Sequence, residues 1–280
     1  MNLLYDGEFM SVKMNFNKSI QLIMRSFNLK IEMCDNNGYS FSDEQLFRAI
    51  NEINTLYNEF VFINNKKYDD IQISLLKNLI GTGFGEGLYL LDSLQKSLSI
   101  EGDVCEFGVA QGATSALIAN EIKNINKNLW LFDSFEGLPK PSGKDLLIND
   151  IFNLGSMEAY KGKMACPVDM VKSRLSDINF PHERTKIIPG FIEKTIFDPN
   201  LPQKVCFAYI DFDFYEPILI ALNYLNRVLQ SRGFIIVDDY NFFSEGVKIA
   251  VDEFYNNNKE KYEISFPIKS AGFFCILRKK

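Results

Sequence analysis

The stretch Tyr262-Glu263-Ile264-Ser265-Phe266-Pro267-Ile268-Lys269-Ser270-Ala271-Gly272-Phe273-Phe274-Cys275-Ile276-Leu277 holds two apolar runs, 262–266 and 273–277, parted by a short breaker segment. A connection of that length has no room for a crossover, so the two strands must run antiparallel. Upstream the rhythm is different. Residues 247–255 have helical spacing, 234–237 read as a strand, and 216–229 as the helix before it. Further back come strands at 205–210, 185–188, 129–132 and 104–107, with a helix at 113–122 and another around 168–175. Alternating strands and helices predict parallel strands joined by right-handed crossovers. The chain is therefore expected to fold as an α/β domain with a mostly parallel seven-stranded sheet and a C-terminal antiparallel hairpin. That hairpin sets it apart from the all-parallel sheets of dinucleotide-binding domains.

Composition narrows the ligand. The 280 residues carry a net charge of −6 and a sequence pI of about 5.1. Phosphate backbones need clustered Lys and Arg, so nucleic acid is not expected as a partner. Five scattered cysteines without a CxxC pair, and the single His182, leave no zinc-site spacing and suit a reducing compartment. No apolar run is long enough to span a bilayer, and the first ten residues lack a signal-peptide layout. A cytoplasmic protein is expected, with no membrane partner. Residues 16–77 read mainly as helix, with a cap at Ser42-Asp43-Glu44-Gln45, and apolar positions there suit a homodimer. The 140–176 segment exceeds a usual connection and is expected to hold a mobile loop before its helix.

Two motifs mark a ligand site. Glu106-Phe107-Gly108-Val109-Ala110-Gln111-Gly112 closes the first strand and turns into a helix whose first residues, Ala113-Thr114, offer free amides to a carboxylate. Gly108 lets a ligand approach the backbone. The spacing is not the GxGxxG of dinucleotide binding, and glycines after a strand are also ordinary turn residues. The second strand ends at Asp133-Ser134, where a carboxylate can accept hydrogen bonds from ribose hydroxyls or merely cap the turn.

A third motif is acidic. Asp211-Phe212-Asp213 follows the fourth strand and Asp238-Asp239 the fifth. If the chain stays extended, Asp211 and Asp213 share a face. Asp238 and Asp239 would then oppose each other unless one turns. Bare carboxylates repel one another, so their convergence calls for a cation, and oxygen donors without His or Cys favour Mg²⁺. The alternative for Asp213 is the N-cap of the helix near Glu216.

In this company the chain resembles the macrocin O-methyltransferase (TylF, MycF and NovP-like) family. The likeness runs from about Gly81 onward through Gly102-Asp103-Val104-Cys105-Glu106-Phe107-Gly108-Val109, Phe132-Asp133-Ser134-Phe135-Glu136-Gly137-Leu138-Pro139 and Pro189-Gly190-Phe191-Ile192-Glu193-Lys194-Thr195. It continues in Ile210-Asp211-Phe212-Asp213-Phe214-Tyr215-Glu216 and Gly233-Phe234-Ile235-Ile236-Val237-Asp238-Asp239-Tyr240. The resemblance implies a class I methyltransferase, Rossmann-like domain over 81–280 and a helical extension or lid over 1–80. It implies S-adenosylmethionine as methyl donor, Mg²⁺, and a sugar hydroxyl of a small molecule as acceptor. By position, Asp211, Asp238 and Asp239 would bind the metal and Asp213 would be the general base. Glu106, Gly108 and Asp133 would hold the cofactor, with Gly190 and Phe191 near its adenine; the turn, helix start and strand end add Gly112, Thr114 and Ser134 as further cofactor-binding candidates. The chain departs from the family at Ala110-Gln111-Gly112-Ala113, where a bulky aromatic and an Arg usually precede a Gly pair. It departs again at Phe214-Tyr215-Glu216-Pro217-Ile218, where Leu-Tyr then Glu-Ser-Thr is common. The metal positions are intact. Three rival readings remain: a glycosyltransferase using Asp211-Phe212-Asp213 as a DxD string, a catechol-type O-methyltransferase, and a non-enzymatic scaffold.

Overall fold

The computed structural model describes residues 68–280. The expected cap at Ser42, the helices of 16–67 and any dimer-forming face on them lie outside the described residues. Helix α1 (Asp70–Lys77) opens the described part with a reciprocal cap. The Asp69 carboxylate accepts from the Gln72 amide at 2.7 Å, and the Gln72 side chain accepts from the Asp69 amide at 2.9 Å. Helix α2 (Phe84–Ser97) follows. Then come β1 (Asp103–Phe107), α3 (Ala113–Ile122), β2 (Leu129–Asp133), α4 (Val168–Asp177), β3 (Thr185–Pro189) and the single turn α5 (Ile192–Thr195). The chain continues through β4 (Val205–Ile210), α6 (Tyr215–Val228), β5 (Leu229–Val237), α7 (Glu245–Asn258), β6 (Tyr262–Ser265) and β7 (Cys275–Lys279).

The strands form one seven-stranded sheet in the order β3-β2-β1-β4-β5-β7-β6. The first five are parallel, and β7 is antiparallel to both β5 and β6. The expected architecture is thus the observed one, with β7 slotted inside β6. Every residue of β4 is buried, because helices cover both faces of a parallel sheet. One layer seats Leu91 and Leu94 of α2 and Leu117 of α3 against Val104 and Leu131. The other seats Ile218, Leu222 and Leu225 of α6 and Val251 of α7 against Cys105, Ala208 and Ile235. The apolar residues of α6 recur three and four apart, which gives the helix one buried face.

Two local expectations change. Strand β5 begins at Leu229 rather than Phe234, directly from α6 without a loop, and its pairing with β4 shifts register between Val205 and Phe207. Segment 134–167 is packed rather than loose. Leu138, Met157 and Tyr160 form a small core of their own with Phe214 and Phe243, beside the ends of β4 and β5. No described helix is long and apolar enough to cross a membrane.

Candidate active site

A cleft of about 490 Å³ opens where the carboxyl ends of β1, β2, β4 and β5 meet. That is the ligand position general to open α/β sheets, and the volume suits a small molecule. Gly108 builds its floor. With φ at +86°, a Cβ there would lie 1.8 Å from the Asp211 carbonyl oxygen, so only glycine allows the ends of β1 and β4 to close. The Asp211 amide donates to the Phe107 carbonyl at 2.7 Å across this contact. Gly108 thus places Asp211 as well as exposing backbone to a ligand.

Asp133 clamps the turn that follows β1. One carboxylate oxygen accepts from the Val109 and Ala110 amides at 2.8 and 2.9 Å, and the other from Phe135 at 2.7 Å. Its turn-capping role is therefore realised, while its oxygens still border the cleft with lone pairs to spare. Ser134 shapes the next turn by donating to the Gly137 carbonyl at 2.8 Å. The Gly190 amide donates to the Asp133 carbonyl at 2.9 Å, which brings Gly190 and Phe191 to the opposite wall.

The acidic residues leave the extended path expected of them. Asp213 and Asp239 take left-handed backbone conformations, with φ at +61° and +57°. These turns swing their carboxylates toward Asp211, and ligand atoms of Asp211, Asp213 and Asp239 lie within 4.8 Å of one another. Asp238 points the other way. Its carboxylate accepts from its neighbour's amide at 2.7 Å and from the Tyr209 hydroxyl at 3.0 Å, beside Glu86. Asp213 is not the cap of α6. That position is Phe214, with no side-chain cap of its own, and the Tyr215 amide instead donates to Asp145 at 2.8 Å.

Burial, then the neighbouring Asp238 and Asp239, pushes the Asp211 carboxyl well above the usual range. Asp213 is raised by burial and by Asp211, and Asp239 by burial and by Asp238. Glu86 is raised by burial and by Asp238. No ion pair among the described residues engages any of them. An all-oxygen set held this close and this strained fits a hard divalent cation, whose charge would relieve the repulsion.

One wall comes from segment 134–167. Asp145, 4% exposed, accepts from the Ser142 amide, the Tyr215 amide and the Ser244 hydroxyl, tying that segment to the starts of α6 and α7. Ile151 and Phe152 then face the cleft across from Phe242.

The sequence profile described as Macrocin-O-methyltransferase (TylF) matches residues 91–279. The chain belongs to this family. It is an enzyme of the O-methyltransferase class, whose methyl donor is S-adenosylmethionine. Among its relatives is the 8-demethyl-8-(2,3-dimethoxy-alpha-L-rhamnosyl)-tetracenomycin-C 4'-O-methyltransferase of Streptomyces olivaceus. It is 27% identical over 65% of this chain and 69% of its own length. Mycinamicin III 3''-O-methyltransferase of Micromonospora griseorubida is 26% identical over 55% of this chain. The chain spans 63% of that relative's length. The solved O-methyltransferase NovP shares the fold at a TM-score of 0.60, with 19% identity over 71% of this chain and 81% of NovP.

Within the macrocin O-methyltransferase frame, the cleft gathers Gly108, Thr114, Asp133, Ser134, Gly190, Phe191 and all four aspartates. Two expected residues stand back from it. Glu106 is wholly buried beneath the floor with neither carboxylate oxygen hydrogen-bonded. Burial pushes it up to about 8; Ser115 beside it opposes the rise and Asp133 adds to it. Gly112 packs against Val171 of α4, where a Cβ would meet Val171 at 3.1 Å. Sequence reading missed Glu86, Tyr209, Thr82 and Asp145. For Glu86 a signal existed: it stands between Gly85 and Gly87 inside a helix, where paired glycines are costly unless something approaches closely. The Ala271 backbone does, 2.6 Å from a Cβ built on Gly85.

Proposed function

We propose that this macrocin O-methyltransferase family member methylates a hydroxyl of a sugar or sugar-containing small molecule in a Mg²⁺-dependent reaction. The observation that carries the metal is the grouping of Asp211, Asp213 and Asp239 within 4.8 Å, with no cationic side chain paired to them among the described residues. The acceptor class rests on the relatives, named for methylating rhamnosyl and mycinamicin hydroxyls. When bound, S-adenosylmethionine supplies an electrophilic methyl carbon and Mg²⁺ a charge that fixes acceptor oxygens.

The chain's own residues do the rest. Asp211 and Asp239 would hold the cation, with Asp238 supporting Asp239 through its amide, and Asp213, the third carboxylate of the group, would take the proton of the reacting hydroxyl. Asp213, raised by burial and then by Asp211, would accept that proton in its ionised form, which a neighbouring cation would favour. The N-terminus of α3, with Thr114, would receive the donor's carboxylate. Asp133, Gly190 and Phe191 would hold its nucleoside, while Ile151, Phe152 and Phe242 would wall the acceptor side. Alignment of donor and acceptor removes on the order of 7–11 kcal/mol from the barrier. Residues 1–80 are assigned to an extension or lid.

Calorimetric binding of S-adenosylhomocysteine, followed by methyl transfer to nucleotide sugars and glycosides with Mg²⁺ or with EDTA, tests this reading. Binding plus EDTA-sensitive transfer is expected, and absence of binding overturns the reading. Asp213→Asn is expected to cut turnover at least ~100-fold while Mg²⁺ still binds. If Mg²⁺ affinity falls as far as it does in Asp211→Asn, Asp213 is a ligand and not the base.

A further inference from the structure

Behind the cleft, four buried side chains join its two ends. Thr114, in the first turn of α3, lies 3.2 Å hydroxyl to hydroxyl from Thr82, and Thr82 lies 3.3 Å from the Tyr209 hydroxyl. Tyr209 reaches Asp238 at 3.0 Å and Glu86 at 3.1 Å. Both threonines are 7% exposed and Tyr209 is fully buried, so bulk water does not replace any link. Thr82 and Thr114 border the cleft where the donor's carboxylate is placed; Asp238 lines the cleft and accepts from the amide of Asp239, a member of the acidic group, at 2.7 Å. The phenol has one proton and two carboxylates in reach, and each threonine has one proton to give. Fixing either end of such a chain therefore restricts the hydroxyls along it, and bonds in a chain polarise one another.

We propose that Thr82, Tyr209 and Glu86 are positioning residues whose hydrogen-bond chain couples occupancy of the donor site to occupancy of the cation site. This rests on the function proposed above. Whichever ligand binds first orders Asp238, Tyr209, Thr82 and Thr114 together, and the second meets a site already ordered. Glu86 holds the Tyr209 hydroxyl at the junction, and the close seating of Gly85 on Ala271 fixes where Glu86 stands. The coupling is positive. Linkage makes it reciprocal, so each ligand tightens the other by the same factor.

The test is calorimetry on the full chain with S-adenosylhomocysteine, which is uncharged at sulfur, and Mg²⁺, each titrated with and without the other. In the wild type, Mg²⁺ is expected to tighten S-adenosylhomocysteine about 5-fold or more, with the same factor in the reverse titration. In Tyr209→Phe, and separately in Thr82→Val, that factor is expected to drop below about 2-fold while each ligand alone still binds. Thr82→Val breaks the chain away from the carboxylates, and the ratio of affinities cancels any direct loss at the cleft wall. It decides the matter if Tyr209→Phe does not fold. A factor that persists in the variants overturns the proposal, as does wild-type binding indifferent to Mg²⁺. A wild type that binds no S-adenosylhomocysteine overturns the methyl-donor reading itself.

Discussion

Gly108 and Glu106 show how much one position decides here. Gly108→Ala would set a methyl group 1.8 Å from the Asp211 carbonyl oxygen at a backbone φ of +86°, so β1 and β4 must part. A loss of roughly 3 kcal/mol or more is expected in urea unfolding, together with weaker Mg²⁺ binding, since Asp211 moves with the strand end. Glu106 has the opposite sign. The folded state keeps its proton up to about pH 8, whereas the unfolded chain gives it up near 4.5. Its contribution is therefore harmless below pH 4.5 and turns destabilising as pH rises to about 8, on the order of 3 kcal/mol at pH 7. Glu106→Gln is expected to raise stability at neutral pH and flatten that slope, read by urea unfolding at stepped pH; an unchanged slope would place the proton elsewhere. The strand-end aspartates were legible in the sequence because strand order brings them together. The left-handed turns at Asp213 and Asp239 were not, since neither residue type demands positive φ. Glu86 was hidden because its partners Tyr209 and Asp238 lie 123 and 152 positions away.

Among the elements, the terminal strands were readable from the shortness of the loop between them, which permits one relative direction. Which of the two pairs with β5 is decided by packing and leaves no local trace. Segment 134–167 shows the limit from the other side. Its length suggested looseness, yet Asp145 binds partners 70 and 99 residues distant and locks the segment to α6 and α7. The start of α6 thus borrows its cap from a loop rather than from its own flanking residue. Asp145→Ala is expected to cost about 2–4 kcal/mol and to speed amide exchange across 146–155, because several buried donors lose their acceptor at once. Exchange unchanged in 146–155 would show that the small core around Tyr160 holds the segment alone.

Among the described residues the least favourable charges gather in one place, and this shapes how the molecule responds to solution conditions. Burial first, and then Asp238 and one another, push the carboxyls of Asp211, Asp213 and Asp239 above the usual range. The folded state accordingly holds protons that the unfolded chain releases, so metal-free stability should fall as pH climbs out of the ordinary carboxylate range. The proposed Mg²⁺ would bind the ionised form and is expected to restore more stability at pH 7.5 than at pH 5, seen as a larger rise in Tm. A Tm increment independent of pH would speak against these aspartates as ligands. The sheet order has a consequence for biosynthesis as well. Strand β7 lies between β5 and β6, yet it is made after both. Until residues 275–279 leave the ribosome, β5 has one open edge, and the turn that carries Asp238 and Asp239 lacks its support on that side. The nascent chain can pair its first four strands during translation, but the edge of β5 that leads to Asp238 and Asp239 closes only once β7 has been made, and until then that unpaired edge is open to the wrong neighbour.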